Sequence, residues 1–155
     1  MPGRMLIAGV GNIFLGDDGF GVEVTRRLAR EALPEWVRVA DFGIRGLHLA
    51  FDILDGGYDA TVLVDATARG GAPGTVYLIE PDLDGAAGAP ADAHTMTPEA
   101  VFAALNALGA NPGRVFIVGC EPASLDENIG LSGPVARAVD EALHLVRSLI
   151  ARNGA

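Results

Sequence analysis

The sequence predicts an α/β protein, a three-layer α/β/α sandwich on a mostly parallel five-stranded sheet. Short apolar runs alternate with amphipathic stretches, the pattern of strands joined by crossover helices. The first and third runs are continuously apolar rather than apolar at every second residue, as expected for strands covered on both faces. No linker, repeat or low-complexity tract divides the chain, so residues 1–155 read as one domain.

The first run, "RMLIAGVG", ends in glycine and reads as a buried strand. From Gly19 the period changes. Gly21, Val24, Thr25, Leu28 and Ala32 share one helical face, and Glu23, Arg26, Arg27 and Arg30 the other, so an amphipathic helix is expected to run until just before Pro34. "VRVADFG" reads as the second strand, and "GLHLAFDIL" as a helix closed by Gly56 and Gly57. "ATVLVDAT" is a third strand ending in a carboxylate, Asp65. "GTVYLIE" follows it after a Gly/Pro turn too short for a crossover helix, so it is expected antiparallel to its neighbour. The Gly-, Ala-, Pro- and Asp-rich stretch from Pro81 to Met96 is a long loop, of the kind that is functional or mobile. A helix is expected from the Thr97 cap and Pro98 to about Leu108. "RVFIVGC" is the fifth strand and "EPASLDENIGLSG" a second polar loop. The last helix begins near Ser132–Pro134, with Val135, Val139, Ala142, Leu143, Val146 and Ile150 as its apolar stripe.

Half of the 155 residues are apolar and the formal charge is −9. That balance argues against a nucleic-acid partner, whose phosphates need clustered Lys and Arg. A single cysteine, Cys120, rules out an internal disulfide and suits a reducing compartment. The run Met5 to Val10 is too short for a signal-peptide core or a membrane span, so a soluble cytoplasmic protein is expected.

In open parallel sheets the ligand lies beyond the carboxyl ends of the strands. The loop after the first strand, "GVGNIFLGDDGFG", would occupy that edge. It fails as a dinucleotide fingerprint: Phe14 stands where the third glycine belongs, no Walker lysine follows, and Asp17 and Asp18 would repel phosphate. Helix capping accounts for one of those two carboxylates. It does not account for Gly16, Gly19 and Gly21, since a glycine in an early helical turn costs up to ~1 kcal/mol relative to Ala. Glycines around an acid let something large approach the backbone. Asp65, a turn or cap residue on its type alone, faces the same edge by position. His94 lies in the long loop, whereas His144 falls on a polar helix face and His48 has no evident partner. Cys120 reads as a small buried apolar side chain, with a Cys120–His94 nucleophile pair as the alternative. Asp18, Asp65 and His94 together make a two-carboxylate, one-imidazole set that borderline divalent metals accept with coordination positions left open.

Six blocks, "GVGNIFLGDDGFG", "DFGIRGLHL", "VLVDAT", "PGTVY", "HTMTPE" and "GCEPASLDENIGLSGPV", together resemble the hydrogenase maturation endopeptidases, proteases that serve nickel–iron hydrogenases. They occur in the family's order from about Met5 to Val146. The resemblance implies an α/β/α fold and a cytoplasmic, aspartyl-type endopeptidase. Its partner would be the hydrogenase large-subunit precursor, and it would remove a short C-terminal extension after nickel insertion. It further implies that Asp18, Asp65 and His94 form the metal-binding and catalytic set. The metal would be nickel presented by the substrate, or another divalent ion in its place. The family's first acid is often Glu; Asp18 is one methylene shorter and keeps the charge and donor atoms. The acidic residue of the family's D-G-G-T block matches Asp41, though the block reads "DFGI" here. Three rivals remain on the sequence: a non-catalytic nickel chaperone using the same ligands, a cysteine hydrolase, and a nucleotide-binding module.

Overall fold

The computed structural model describes residues 3–44, 46–80, 107, 109 and 113–153. The elements are β1 (Met5–Val10), a 3-10 turn (Gly16–Gly19), α1 (Phe20–Leu28), β2 (Val37–Gly43), α2 (Gly46–Gly56), β3 (Ala60–Ala66), β4 (Val76–Ile79), β5 (Arg114–Cys120) and α3 (Gly133–Asn153). The helix expected from Thr97 to about Leu108 lies almost wholly outside the described residues, and so does the loop from Pro81 to Met96 with His94.

The five strands form one sheet in the order β2-β1-β3-β5-β4. β1 pairs parallel with β2 and β3, and β3 parallel with β5. β4 pairs antiparallel with β5, as its short connection to β3 led us to expect. Alternate residues of each strand feed opposite layers. Met5 and Ile7 of β1, with Val62 and Val64 of β3 and Val118 of β5, pack under Val24 and Leu28 of α1 and Val135, Val139 and Val146 of α3. Leu6, Ala8, Leu63, Val115 and Ile117 point the other way, toward Leu49 and Ile53 of α2. A strand between two layers has no solvent face, which explains why β1 is buried along its whole length. The expected stripe of α3 is buried throughout.

One element departs from expectation. α1 ends at Leu28 rather than just before Pro34. Arg30 N–H donates to the Arg27 carbonyl at 3.2 Å and Glu31 N–H to that of Leu28 at 3.0 Å, so the chain tightens into three-residue turns there. Ala32 therefore lies beyond the helix whose face it was expected to share.

Sheet order locates the cleft. The chain leaves β1 for β2 on one side and returns to β3 on the other, so the gap between the carboxyl ends of β1 and β3 is the topological switch point. Two glycines set the approach there. A Cβ on Gly21 would stand 2.0 Å from the Val64 carbonyl oxygen and 2.6 Å from that of Val10, so the first turn of α1 lies directly on the ends of both strands. Gly11 turns the chain at a φ of +138°, a region L side chains avoid, and a Cβ there would meet the Asp18 carbonyl oxygen. Among the described residues no helix is long and apolar enough to cross a membrane.

Candidate functional site

The 3-10 turn after β1 carries Asp17 and Asp18 and packs against β3 near the switch point. In a 3-10 turn successive side chains point about 120° apart, so adjacent acids have different neighbours. Asp17 turns inward and is buried. Its Oδ2 accepts from Ala123 N–H at 2.8 Å, Ser124 N–H at 3.1 Å and the Ser132 hydroxyl at 2.9 Å. Its Oδ1 accepts from Ser132 N–H at 2.7 Å. Burial alone would raise its pKa, but the bonds from Ser132, Ala123 and Ser124 together outweigh that, and the carboxyl sits below its ordinary value. Asp17 is thus no helix cap; neither the turn nor α1 has a side-chain cap bond. It latches the first loop to the second. Backbone bonds complete the seam: Gly16 N–H to the Asn128 carbonyl at 2.8 Å, Asn128 N–H to that of Phe14 at 2.9 Å, and Asp17 N–H to that of Ser124 at 3.0 Å.

Asp18 turns to the rim and is half-buried. Its Oδ2 accepts from Asn12 N–H at 2.7 Å, and Asn12 in turn accepts from Phe14 N–H at 2.9 Å, so the loop holds the carboxylate. Its Oδ1 has no hydrogen-bond partner among the described residues, leaving one hard oxygen donor at the rim. Asp65 stands at the carboxyl end of β3, register partner of Gly119 in β5, and is buried. The fold therefore sets Asp18 and Asp65 on two elements that meet at the switch point. His94 is outside the described residues, and among those described no three His, Cys, Asp or Glu side chains gather as around a metal ion. Asp41 is exposed at the end of β2, where its Oδ1 accepts from Gly43 N–H at 2.8 Å and closes a local turn.

Cys120 is buried at the end of β5. Burial first, then the negative charges of Asp17, Glu121 and Glu141, push its thiol up to about 11. Such a thiol is protonated at neutral pH and, being fully buried, is closed to a substrate, which weighs against the cysteine-hydrolase rival. Cys120→Ala is expected to keep its catalytic rate within about twofold, measured as turnover of a protein substrate.

Sequence reasoning missed Glu121, the next residue. It is buried, and its Oε1 accepts from Arg69 N–H at 2.8 Å, Gly71 N–H at 2.9 Å and the Tyr77 hydroxyl at 2.8 Å. The bond from Arg69 N–H, followed by that from Tyr77, holds its carboxyl below the usual value. Glu121 so fixes the loop that follows Asp65. An acid directly after an apolar strand was the available signal. Glu121→Ala is expected to speed amide exchange at Arg69 and Gly71 by about tenfold or more, read by hydrogen-exchange NMR, with Asp17 and its partners unaffected.

The chain is similar to known proteins over nearly its whole length. A family model described as hydrogenase maturation protease matches residues 22–149. The chain is 36% identical to a putative hydrogenase maturation protease of Methanocaldococcus jannaschii, over 92% of this chain and 93% of the relative. It is 30% identical to the hydrogenase 2 maturation protease of Escherichia coli, over 97% and 93%. Among solved structures, the hydrogenase maturating endopeptidase HybD from E. coli superposes with a TM-score of 0.81 at 30% identity, covering 97% of this chain and 94% of that one.

Proposed function

The chain belongs to the hydrogenase maturation protease family and is a peptide hydrolase, and from that premise we propose that it cuts the C-terminal extension from the nickel-loaded large-subunit precursor of a nickel–iron hydrogenase. The observation that carries the site assignment is the turn bearing Asp18, latched by Asp17 over the end of the strand bearing Asp65. In this reading Asp18, Asp65 and His94 fill open positions on the nickel that the substrate carries. Two carboxylates and an imidazole suit a borderline divalent ion, and among the described residues one oxygen of Asp18 is unengaged. Docking through the ion makes the cut conditional on metal insertion, because a metal-free precursor lacks the group that sets its register.

Bound between these side chains, the ion supplies Lewis acidity toward a neighbouring carbonyl. The chain's own part is to hold the scissile segment at the rim, between the turn bearing Asp18 and the end of the strand bearing Asp65. There one carboxylate takes a proton from the attacking water and returns it to the leaving amine. The glycines around Asp18, expected from the sequence to open the backbone to a ligand, serve internal packing instead: Gly16 lies against the Ser124 carbonyl, Gly19 against Ile13 and Gly21 against the ends of β1 and β3. One cysteine and the lack of a spanning helix among the described residues suit the cytoplasm as the place of reaction.

The direct test is incubation with nickel-loaded and metal-free precursor, followed by intact-mass analysis. Shortening of the loaded form alone is expected. Unchanged mass with nickel moved onto this chain would overturn the reading in favour of a chaperone, which family membership already disfavours.

A further inference from the structure

Eight large apolar side chains are exposed among the described residues, and five of them, Ile13, Phe14, Ile44, Leu125 and Ile129, stand on the loops that follow β1, β2 and β5. Those loops form the same rim as Asp18 and Asp65. Phe14 is 60% exposed and Ile129 71%, although neither lies in a floppy excursion. Leu15 and Asn128 form a parallel bridge between the two loops, and Asp17 anchors the seam from beneath with four hydrogen bonds. Gly11 N–H donates to the Gly43 carbonyl at 2.8 Å and ties in the end of β2, next to Ile44. Ile13 and Ile129 line a groove of about 240 Å³ together with Val22, Leu131, Glu23 and Arg26. A rigid, clustered apolar display at one edge is what a docking surface requires, since scattered exposed apolar residues carry no such meaning.

Charge narrows the choice of partner. Residues 11–19 and 121–133 contain no Lys or Arg; the basic residues nearest in the chain or at the groove are Arg45, which follows Ile44, and Arg26, which stands 4.0 Å from Glu23. Asp17 and Glu121 are consumed internally, which leaves Asp18, Asp126 and Glu127 among the apolar side chains of the pad. An apolar surface interleaved with acids fits an apolar surface flanked by basic groups and discriminates against an acidic one. We infer that this collar is a second contact for the metal-bearing precursor, seating an apolar, basic-flanked patch of its folded body beside the cleft, with one apolar side chain entering the groove. The inference rests on the endopeptidase reading. It adds that recognition is divided, with the ion setting register and the collar supplying much of the affinity.

The test is steady-state processing of nickel-loaded precursor by the wild type, by the double variant Phe14→Ser/Ile129→Ser, and by Phe51→Ser. Phe51 is also exposed, but it lies on α2, outside the loops that form the collar. Two truncated anchors are expected to raise KM by about 30-fold with kcat within about twofold, while Phe51→Ser matches the wild type. Should the serine pair melt early, Phe14→Ala/Ile129→Ala is read in the same way. Unchanged KM, or a fall in kcat at constant KM, overturns the collar and leaves the endopeptidase reading standing. A wild type that leaves the loaded precursor uncut overturns both.

Discussion

Asp18→Asn is expected to lower processing of the nickel-loaded precursor by at least about 100-fold while leaving the thermal melt within about 2 °C of wild type. The two halves of that expectation have separate causes. The structural duty of Asp18 is to accept one hydrogen bond, from Asn12 N–H. An amide oxygen in the same place accepts it as well, so the first loop keeps its shape. The functional duty we propose for it is that of a negatively charged oxygen donor at the rim, and the amide removes the charge and weakens the donor toward a divalent ion. Asp65→Asn is expected to give the same activity loss from the opposite side of the cleft. Activity is read as the fraction of precursor shortened, stability as the unfolding midpoint. A collapse of the melt without a specific loss of turnover would make Asp18 an architectural residue and withdraw it from the site. The double variant adds a further check. Two residues that act on one ion lose little more together than either alone, whereas independent contributions multiply.

Why these two acids are visible in the sequence, and others not, follows from the range of their interactions. The strands announce themselves because β1, β3 and β5 are buried on both faces, so a short unbroken apolar run is forced on the sequence. Asp65 ends such a run and Asp18 follows one, and in this fold class the carboxyl ends of strands face the ligand. The antiparallel β4 is legible from the short connection that precedes it. The early end of α1 is not, because its apolar period continues through Ala32 while the backbone has already tightened. Asp17 looks interchangeable with Asp18 by type and neighbourhood. What separates them is a rotation of the 3-10 turn and partners 106 to 115 residues further along the chain. Glu121 is hidden for the same reason, with partners 44 to 52 residues upstream. Local pattern carries no record of contacts at that distance. The collar illustrates a third kind of silence. Ile13, Phe14, Leu125 and Ile129 read as ordinary apolar loop residues until the seam between the loops shows that they share one surface.

Asp17→Ala is expected to cost about 3 kcal/mol or more of folding stability and to lower the unfolding midpoint by about 6–12 °C. The methyl group offers nothing to the amides of Ala123, Ser124 and Ser132, which were organised around a carboxylate; donors left without an acceptor in a buried site lose about 1–3 kcal/mol each, less any that recover a water. Asn is a poor rescue, because its NH2 would face donors where Asp17 presents an acceptor on each oxygen. The ionised form is the one that accepts these bonds, so the folded carboxyl titrates below its unfolded counterpart. The stability it contributes is complete above the ordinary aspartate range and disappears as the pH falls through the lowered folded value, with no corresponding loss on the alkaline side. Wild type and Asp17→Ala should therefore converge in stability as the solution is acidified, while standing furthest apart at neutral pH. Processing should fall with the loss of the latch even at temperatures where the variant remains folded, since the seam it anchors carries Asp18. A constant stability gap across the acid range would show that the four hydrogen bonds do not depend on the charge of Asp17, and that packing of the two loops holds the seam instead.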